Sequence, residues 1–286
     1  MTHSAARPTL ASQFDAFHAA RARSGLVNHL YATAMGEAYP PEVADSSSCD
    51  WPLLGLMTSR LRMRPGQLLV DAGCGTGGTG LWLARALSAR LVGIDLSPVA
   101  IEQAGARRAA FLPNGRATFR VASLDDTGLP DSCAHGIVCV DSLGFASNRR
   151  DAVRELGRVL APGGRLLLTR ALRQSAEPAW VEEASSAGLT VEHVAERPHE
   201  PAMWERLYRL WIDHADHLRR ELGDPQAENM LREARNKLPS LPGRRAVLLT
   251  LRRPPEQTTP PSPTDTMTGL GRHPAATPTT SERTPQ

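Results

Sequence analysis

Apolar positions recur along this chain at two different spacings, and the spacing changes once. Over residues 12–36 the spacing is helical, with Leu26, Leu30 and Ala34 on one face. Ser12 with Asp15 three residues later fits a capping box, and Gly36 fits a stop, so the pattern predicts one helix over 12–36. Pro40-Pro41 and Ser46-Ser47-Ser48 read as loop. A second helical stretch over 51–63 carries Leu54, Met57 and Leu61 and ends at Pro65-Gly66. From Gln67 onward short apolar runs alternate with helical stretches. Strands are predicted at 68–70, 91–94, 118–121, 137–140, 165–169, 189–194 and 246–251. Helices are predicted at 81–87, 98–110, 180–187 and 226–237, and after Asn148 and Asp151 as caps. Strand–helix alternation of this kind predicts an α/β fold, a parallel sheet covered on both faces.

One predicted helix stands apart. Residues 202–222 place Trp204, Leu207, Tyr208, Trp211, His214, Ala215, Leu218 and Leu222 at three- and four-residue spacing, with charges opposite. Such a stripe suits either a flat, greasy ligand or ordinary core against the sheet. His214 on this stripe, and His199 with Glu200 in the loop before it, are candidates for a base or orienting donor, or for packing. Tyr31, Tyr39 and Trp51 are candidates for a lid or for packing.

Composition adds exclusions. With 286 residues and 41% hydrophobic content the chain can bury a core. It has no apolar run long enough for a membrane span, and residues 1–10 lack a secretory pattern, so a cytoplasmic protein without membrane contact is expected. The net charge of +3 is dispersed, and no basic stripe with interleaved aromatics argues for nucleic acid. Either a monomer or a homodimer is expected. Cys49, Cys74, Cys133 and Cys139 form no metal-like spacing and read as reduced thiols, so no metal is expected. Residues 254–286 are rich in proline and threonine and poor in large apolar groups, the composition of a disordered tail.

The chemistry concentrates after the first predicted strand, in Asp71-Ala72-Gly73-Cys74-Gly75-Thr76-Gly77-Gly78. Gly73, Gly75 and Gly78 satisfy the dinucleotide fingerprint, and Asp95 closes the second strand where an acid can hold ribose hydroxyls. A nicotinamide-dependent oxidoreductase is therefore one reading. Asp71 opposes it: a carboxylate there repels a pyrophosphate and suits a ligand with an ammonium and a sulfonium. The absence of a Tyr-x-x-x-Lys pair opposes it too, Lys237 being the sole lysine.

Asp71-x-Gly73-x-Gly75-x-Gly77, Leu129-Pro130 before the fourth strand and Pro162-Gly163-Gly164 before the fifth together resemble the class I S-adenosylmethionine-dependent methyltransferases, in the small-molecule branch typical of actinobacterial secondary metabolism. The resemblance covers residues 65–172 well and reaches 253 more loosely. It implies a Rossmann-like doubly wound seven-stranded sheet with an antiparallel last strand, an N-terminal helical lid over 1–64, a methyltransferase domain over 65–253 and a helical cap at about 199–242. It implies S-adenosylmethionine as cofactor, held by Asp71, Gly73, Cys74, Gly75 and Gly77, with Asp95 on the ribose and Leu96 on the adenine. Either Asp125 meets the adenine amino group, or Ser123 does so with Leu124 adding backbone contact; loop acids left in solvent are the alternative for Asp125. Asp141 and Ser142 fall at the reactive edge, Asp141 as a further candidate for catalysis. The implied reaction is in-line methyl transfer to a small acceptor, an aromatic, polyketide or terpenoid-like metabolite. A protein that binds the cofactor without transfer, or uses its charge to steer a rearrangement, is the other alternative.

Overall fold

The structure, a computed structural model, describes residues 9–176 and 178–255. The expected tail lies almost wholly outside the described residues, which reach Pro255. Seven strands form one sheet: β1 (Leu68–Ala72), β2 (Arg90–Asp95), β3 (Ala117–Val121), β4 (Ala134–Cys139), β5 (Leu160–Arg173), β6 (Thr190–Glu196) and β7 (Arg244–Arg252). Their order is β3-β2-β1-β4-β5-β7-β6. β1 to β5 are parallel, and β7 runs antiparallel between β5 and β6. The expected sheet, with its antiparallel last strand, is present.

Alternate side chains of each strand enter opposite cores, as the pleat requires. Leu69, Val138, Leu167 and Leu248 pack beneath α3 (Trp51–Leu61) and α4 (Gly78–Ala86). Val70, Ile137, Leu166, Leu168 and Leu249 pack with α6 (Arg149–Val159) and α7 (Trp180–Ser186). Both faces are thereby dry, which is why these strands read as continuous apolar runs. α3, grouped in the sequence reading with the lid, packs on the sheet itself. α5 (Pro98–Arg107) lies against β2 and β3. A third core is helical: α2 (Leu26–Met35) with α8 (Glu200–Asp213), α9 (Ala215–Leu222) and α10 (Asp224–Lys237).

Two expected helices are each broken in two. The stretch 12–36 divides into α1 (Leu10–Arg21) and α2, because Ser24 Oγ accepts from Leu26 N–H (3.1 Å) and starts a new helix. α1 begins earlier than expected, on Thr9, whose hydroxyl accepts from Ser12 N–H. Asp15 takes no part in a capping box; its Oδ1 accepts from Ser97 Oγ at 2.5 Å and Val99 N–H at 3.2 Å, tying α1 to the start of α5. The stretch 202–222 divides at His214, which ends α8 and precedes α9. Its aromatic face packs on α2 and α10 more than on the sheet. The cysteines are all free, with Cys133 partly exposed and the other three buried.

Candidate functional site

β1 delivers Asp71 and Ala72 to the carboxyl edge of the sheet, where the chain must turn into α4. Gly73 makes that turn at φ +76°, and a Cβ on it would lie 2.4 Å from that of Ser142. Gly73 and Cys74 N–H both donate to Ile94 O, and Gly75 N–H donates to Asp95 Oδ2 at 2.8 Å. Asp95 Oδ1 takes Ser97 N–H at 2.9 Å. The loop at the end of β1 is thus pinned to the end of β2.

These ends open onto a cavity of about 830 Å³, within the range that holds small ligands and cofactors. Asp71, Gly73, Cys74, Gly75, Asp95, Leu96, Ser123, Leu124, Asp125 and Asp141 all line it. Gly77 does not; at φ +79° it faces Ala104 and Phe119, so its task is the loop's shape and its packing on α5 and β3.

Asp71 is 3% exposed and its Oδ2 has no hydrogen-bond partner. Burial, with Asp45 and Asp95 nearby, pushes its carboxyl up to about 8, against the pull of Gly80 N–H. Gly80 leaves the room: a Cβ there would sit 2.5 Å from Asp71 Oδ2. A buried acceptor left open on a cavity wall is the complement of a cationic donor.

Asp141 also lines the cavity, in the left-handed region at φ +53°. Its Oδ2 accepts from Ser48 N–H (2.7 Å) and its Oδ1 from Thr169 Oγ1 (2.9 Å). Both oxygens hold structure, which suits positioning better than proton transfer. Beside it, Ser142 Oγ donates to Gly73 O at 2.9 Å. Asp125 accepts from Ser147 Oγ, and hydrogen bonds from Ser123 and Ser147 hold its carboxyl below the usual range.

The two candidate histidines do not reach the cavity. His214 is not in its wall; its Nδ1 donates to Leu210 O (2.9 Å), closing the end of α8. His199 is exposed and precedes α8, its carbonyl taking Met203 N–H. Their neighbour Glu200 is on the wall, buried and paired with Arg244 (2.7 Å) and Trp204 Nε1 (2.9 Å). Of the three lid candidates Tyr31 lines the cavity, Tyr39 packs on the helical core and Trp51 meets Trp82 edge-on.

The sequence reading missed two features. Asp45, in the loop after α2, takes Thr79 N–H and Thr79 Oγ1 at 2.7 Å each and Gly78 N–H at 3.2 Å. Its carboxylate therefore caps α4 and complements the helix dipole. Arg107 stands 3.8 Å from Asp45 and donates to Thr76, Glu42 O and Val43 O, clamping this segment to the glycine loop. His18, Phe14 and Phe17 of α1 also face the cavity, and Phe14 meets Phe145 edge-to-face at 5.1 Å. Burial and Arg21 push His18 down to about 4, so it is neutral at pH 7. No local signal announces Asp45; the helical face of Phe14, Phe17 and His18 was the available signal for α1.

Residues 69–164 match the family described as a methyltransferase domain. An O-methyltransferase of Pyrenophora dematioidea is 34% identical over 152 residues, 53% of this chain and 50% of that protein. The 27-O-demethylrifamycin SV methyltransferase of Amycolatopsis mediterranei is 28% identical over 156 residues, 54% of this chain and 55% of that one. The chain thus spans about half the length of the curated relatives it matches. In fold, the methyltransferase domain with its flanking helices is similar to the [4+2]-cyclase SpnF, with a TM-score of 0.67 over 87% of this chain and 97% of that one at 21% identity. It is also similar to a sarcosine dimethylglycine methyltransferase from Galdieria sulphuraria, with a TM-score of 0.61 over 71% and 84% at 16% identity.

Proposed function

We propose that this protein transfers the methyl group of S-adenosylmethionine to a small, largely apolar acceptor, an aromatic, polyketide or terpenoid-like intermediate of natural-product assembly. The observation that carries the reading is Asp71, a buried residue of the cavity lining whose Oδ2 has no hydrogen-bond partner. It fits an ammonium and repels a pyrophosphate. When bound, the cofactor supplies a methyl group already activated on a sulfonium. The chain's own work is then to bind, orient and exclude water.

Asp71 holds the ammonium, and the Gly73–Gly75 backbone lies along the methionine part. Asp95 accepts from the ribose hydroxyls through its free lone pairs. Leu96 and Leu124 pack on the adenine, with Ser123 or Asp125 at its amino edge. Asp141 positions the reactive edge by tying Ser48 and Thr169 together. The helices between β6 and β7 act as a cap, and α1 as a lid whose Phe14 meets Phe145. No nucleic acid or membrane takes part, and the protein works in the cytoplasm as a monomer or homodimer.

A second reading draws support from the fold shared with a cyclase and from the neutral His18 as the histidine on the described wall. It has the bound sulfonium steer a rearrangement without transfer. Radiolabelled methyl transfer to a panel of apolar phenols and polyketide alcohols decides between them. Label in the product supports transfer; conversion without label supports the rearrangement.

A further inference from the structure

The two ends of the cavity lack opposite things. At the glycine loop the open buried atom is an acceptor, Asp71 Oδ2. Elsewhere on the wall, among the described residues, the buried polar atoms without partners are donors: Arg21 Nε, Arg21 Nη1 and Trp211 Nε1. Arg197 and Arg244 on the same wall are already engaged, by Ser48 and by Glu200.

Arg21 is held in place without those two nitrogens. Its guanidinium lies 3.6 Å over the Phe17 ring, with Tyr31 close by. Tyr31 meets Trp204 and Trp211 edge-on at 6.3 and 6.4 Å, and Tyr208 stacks on Trp204 at 5.4 Å. Glu233, the nearby acid, accepts from Tyr208 hydroxyl and makes no hydrogen bond to Arg21 Nε or Nη1. A guanidinium on the cavity wall with two nitrogens that make no hydrogen bond, Nε and Nη1, beside a cluster of four aromatic rings, is a receptor for an oxyanion attached to an apolar ring. Leaving two guanidinium nitrogens buried without hydrogen bonds is unfavourable, and a ligand oxygen in the working complex would relieve it.

We propose that Arg21 anchors a carboxylate on the methyl acceptor, whose ring packs on Tyr31, Trp204, Tyr208 and Trp211. This rests on the methyl-transfer reading above and names its acceptor class, a ring-bearing carboxylic acid. The donor also carries a carboxylate, and the experiment separates the two sources.

Calorimetric titrations use 2-naphthoate and its uncharged analogue 2-naphthamide, each with S-adenosylhomocysteine at saturation, on wild-type protein, Arg21→Gln and Arg21→Lys. The expected result is naphthoate binding about tenfold or more tighter than naphthamide to wild type, the preference falling to within about twofold in Arg21→Gln and surviving in part in Arg21→Lys. S-adenosylhomocysteine affinity, measured alone, stays within about threefold in Arg21→Gln. Equal binding of the two probes to wild type overturns the proposal, and needs no variant to fold. So does a preference that persists in Arg21→Gln. A loss of S-adenosylhomocysteine affinity of about tenfold in Arg21→Gln assigns Arg21 to the donor's own carboxylate and overturns it as well. Failure of wild type to bind S-adenosylhomocysteine at all strikes the methyl-transfer reading instead.

Discussion

Asp71 carries most of the electrostatic argument, and its raised pKa has a sign that can be tested. Burial pushes its carboxyl up to about 8 in the folded chain, from an ordinary carboxylate value of 3.8. The native state therefore holds a proton that the unfolded chain releases between those values. The stability from that group is present below about pH 4 and lost as pH rises through about 8. Asp71→Asn removes this loss: the ligand-free variant is expected to be more stable than wild type at pH 9 by about 2–5 kcal/mol, the gap closing towards pH 4, by urea unfolding at both values. His18 titrates in the opposite sense, losing stability as pH falls from 6.5 towards 4, but does so in both proteins. The same substitution is expected to weaken S-adenosylhomocysteine binding about a hundredfold at pH 7.5. For His199 and His214 the expectation is the reverse. A general base is worth about 10²–10⁴-fold, whereas His199→Ala and His214→Ala are expected to change turnover less than about threefold. A tenfold loss in either would return that histidine to the reaction. Asp71, Asp95 and Asp141 were legible from their places at strand ends. His199 and His214 do not line the cavity, and helical periodicity could not show this, because it says which face a residue is on, not what that face meets.

Elements were legible wherever burial is two-sided. β1, β4 and β5 have no polar face, so their apolar runs stand out. Helix breaks were harder. Periodicity runs through His214 because α8 and α9 pack the same stripe, Trp211 and then Leu218 and Leu222, into one helical core. The break before α2 had a local sign in Ser24-Gly25, where the Ser24 hydroxyl accepts from Leu26 N–H and turns the chain into the helix. The cap of α4 had none, since Asp45 precedes that helix by a whole helix and strand. Asp45→Ala removes three close hydrogen bonds at once and is expected to cost about 2 kcal/mol in urea unfolding, with weaker S-adenosylhomocysteine binding because the glycine loop is freed. A loss under about 0.5 kcal/mol would show that the clamp adds nothing.

At the scale of the molecule, the sheet supplies an acidic edge and the helices supply aromatic and cationic walls, and the cavity joins them. The order β3-β2-β1-β4-β5-β7-β6 sets Asp71 on β1, Asp95 on β2 and Asp141 just past the end of β4, three strands adjacent in the sheet, so that one ligand can meet all three. A further wall comes from α1 and α10, remote in sequence from the glycine loop; the face of Phe14, Phe17 and His18 marks α1 locally, but only the fold brings α10 to it. The central claim is that this edge binds a sulfonium nucleoside in preference to a dinucleotide. Isothermal titration of the whole chain with S-adenosylmethionine and with NAD tests it most directly. The account predicts saturable one-to-one binding of S-adenosylmethionine, with up to one proton released per site at pH 7 as Asp71 ionises, and no binding of NAD. Tight binding of NAD with none of S-adenosylmethionine would contradict it.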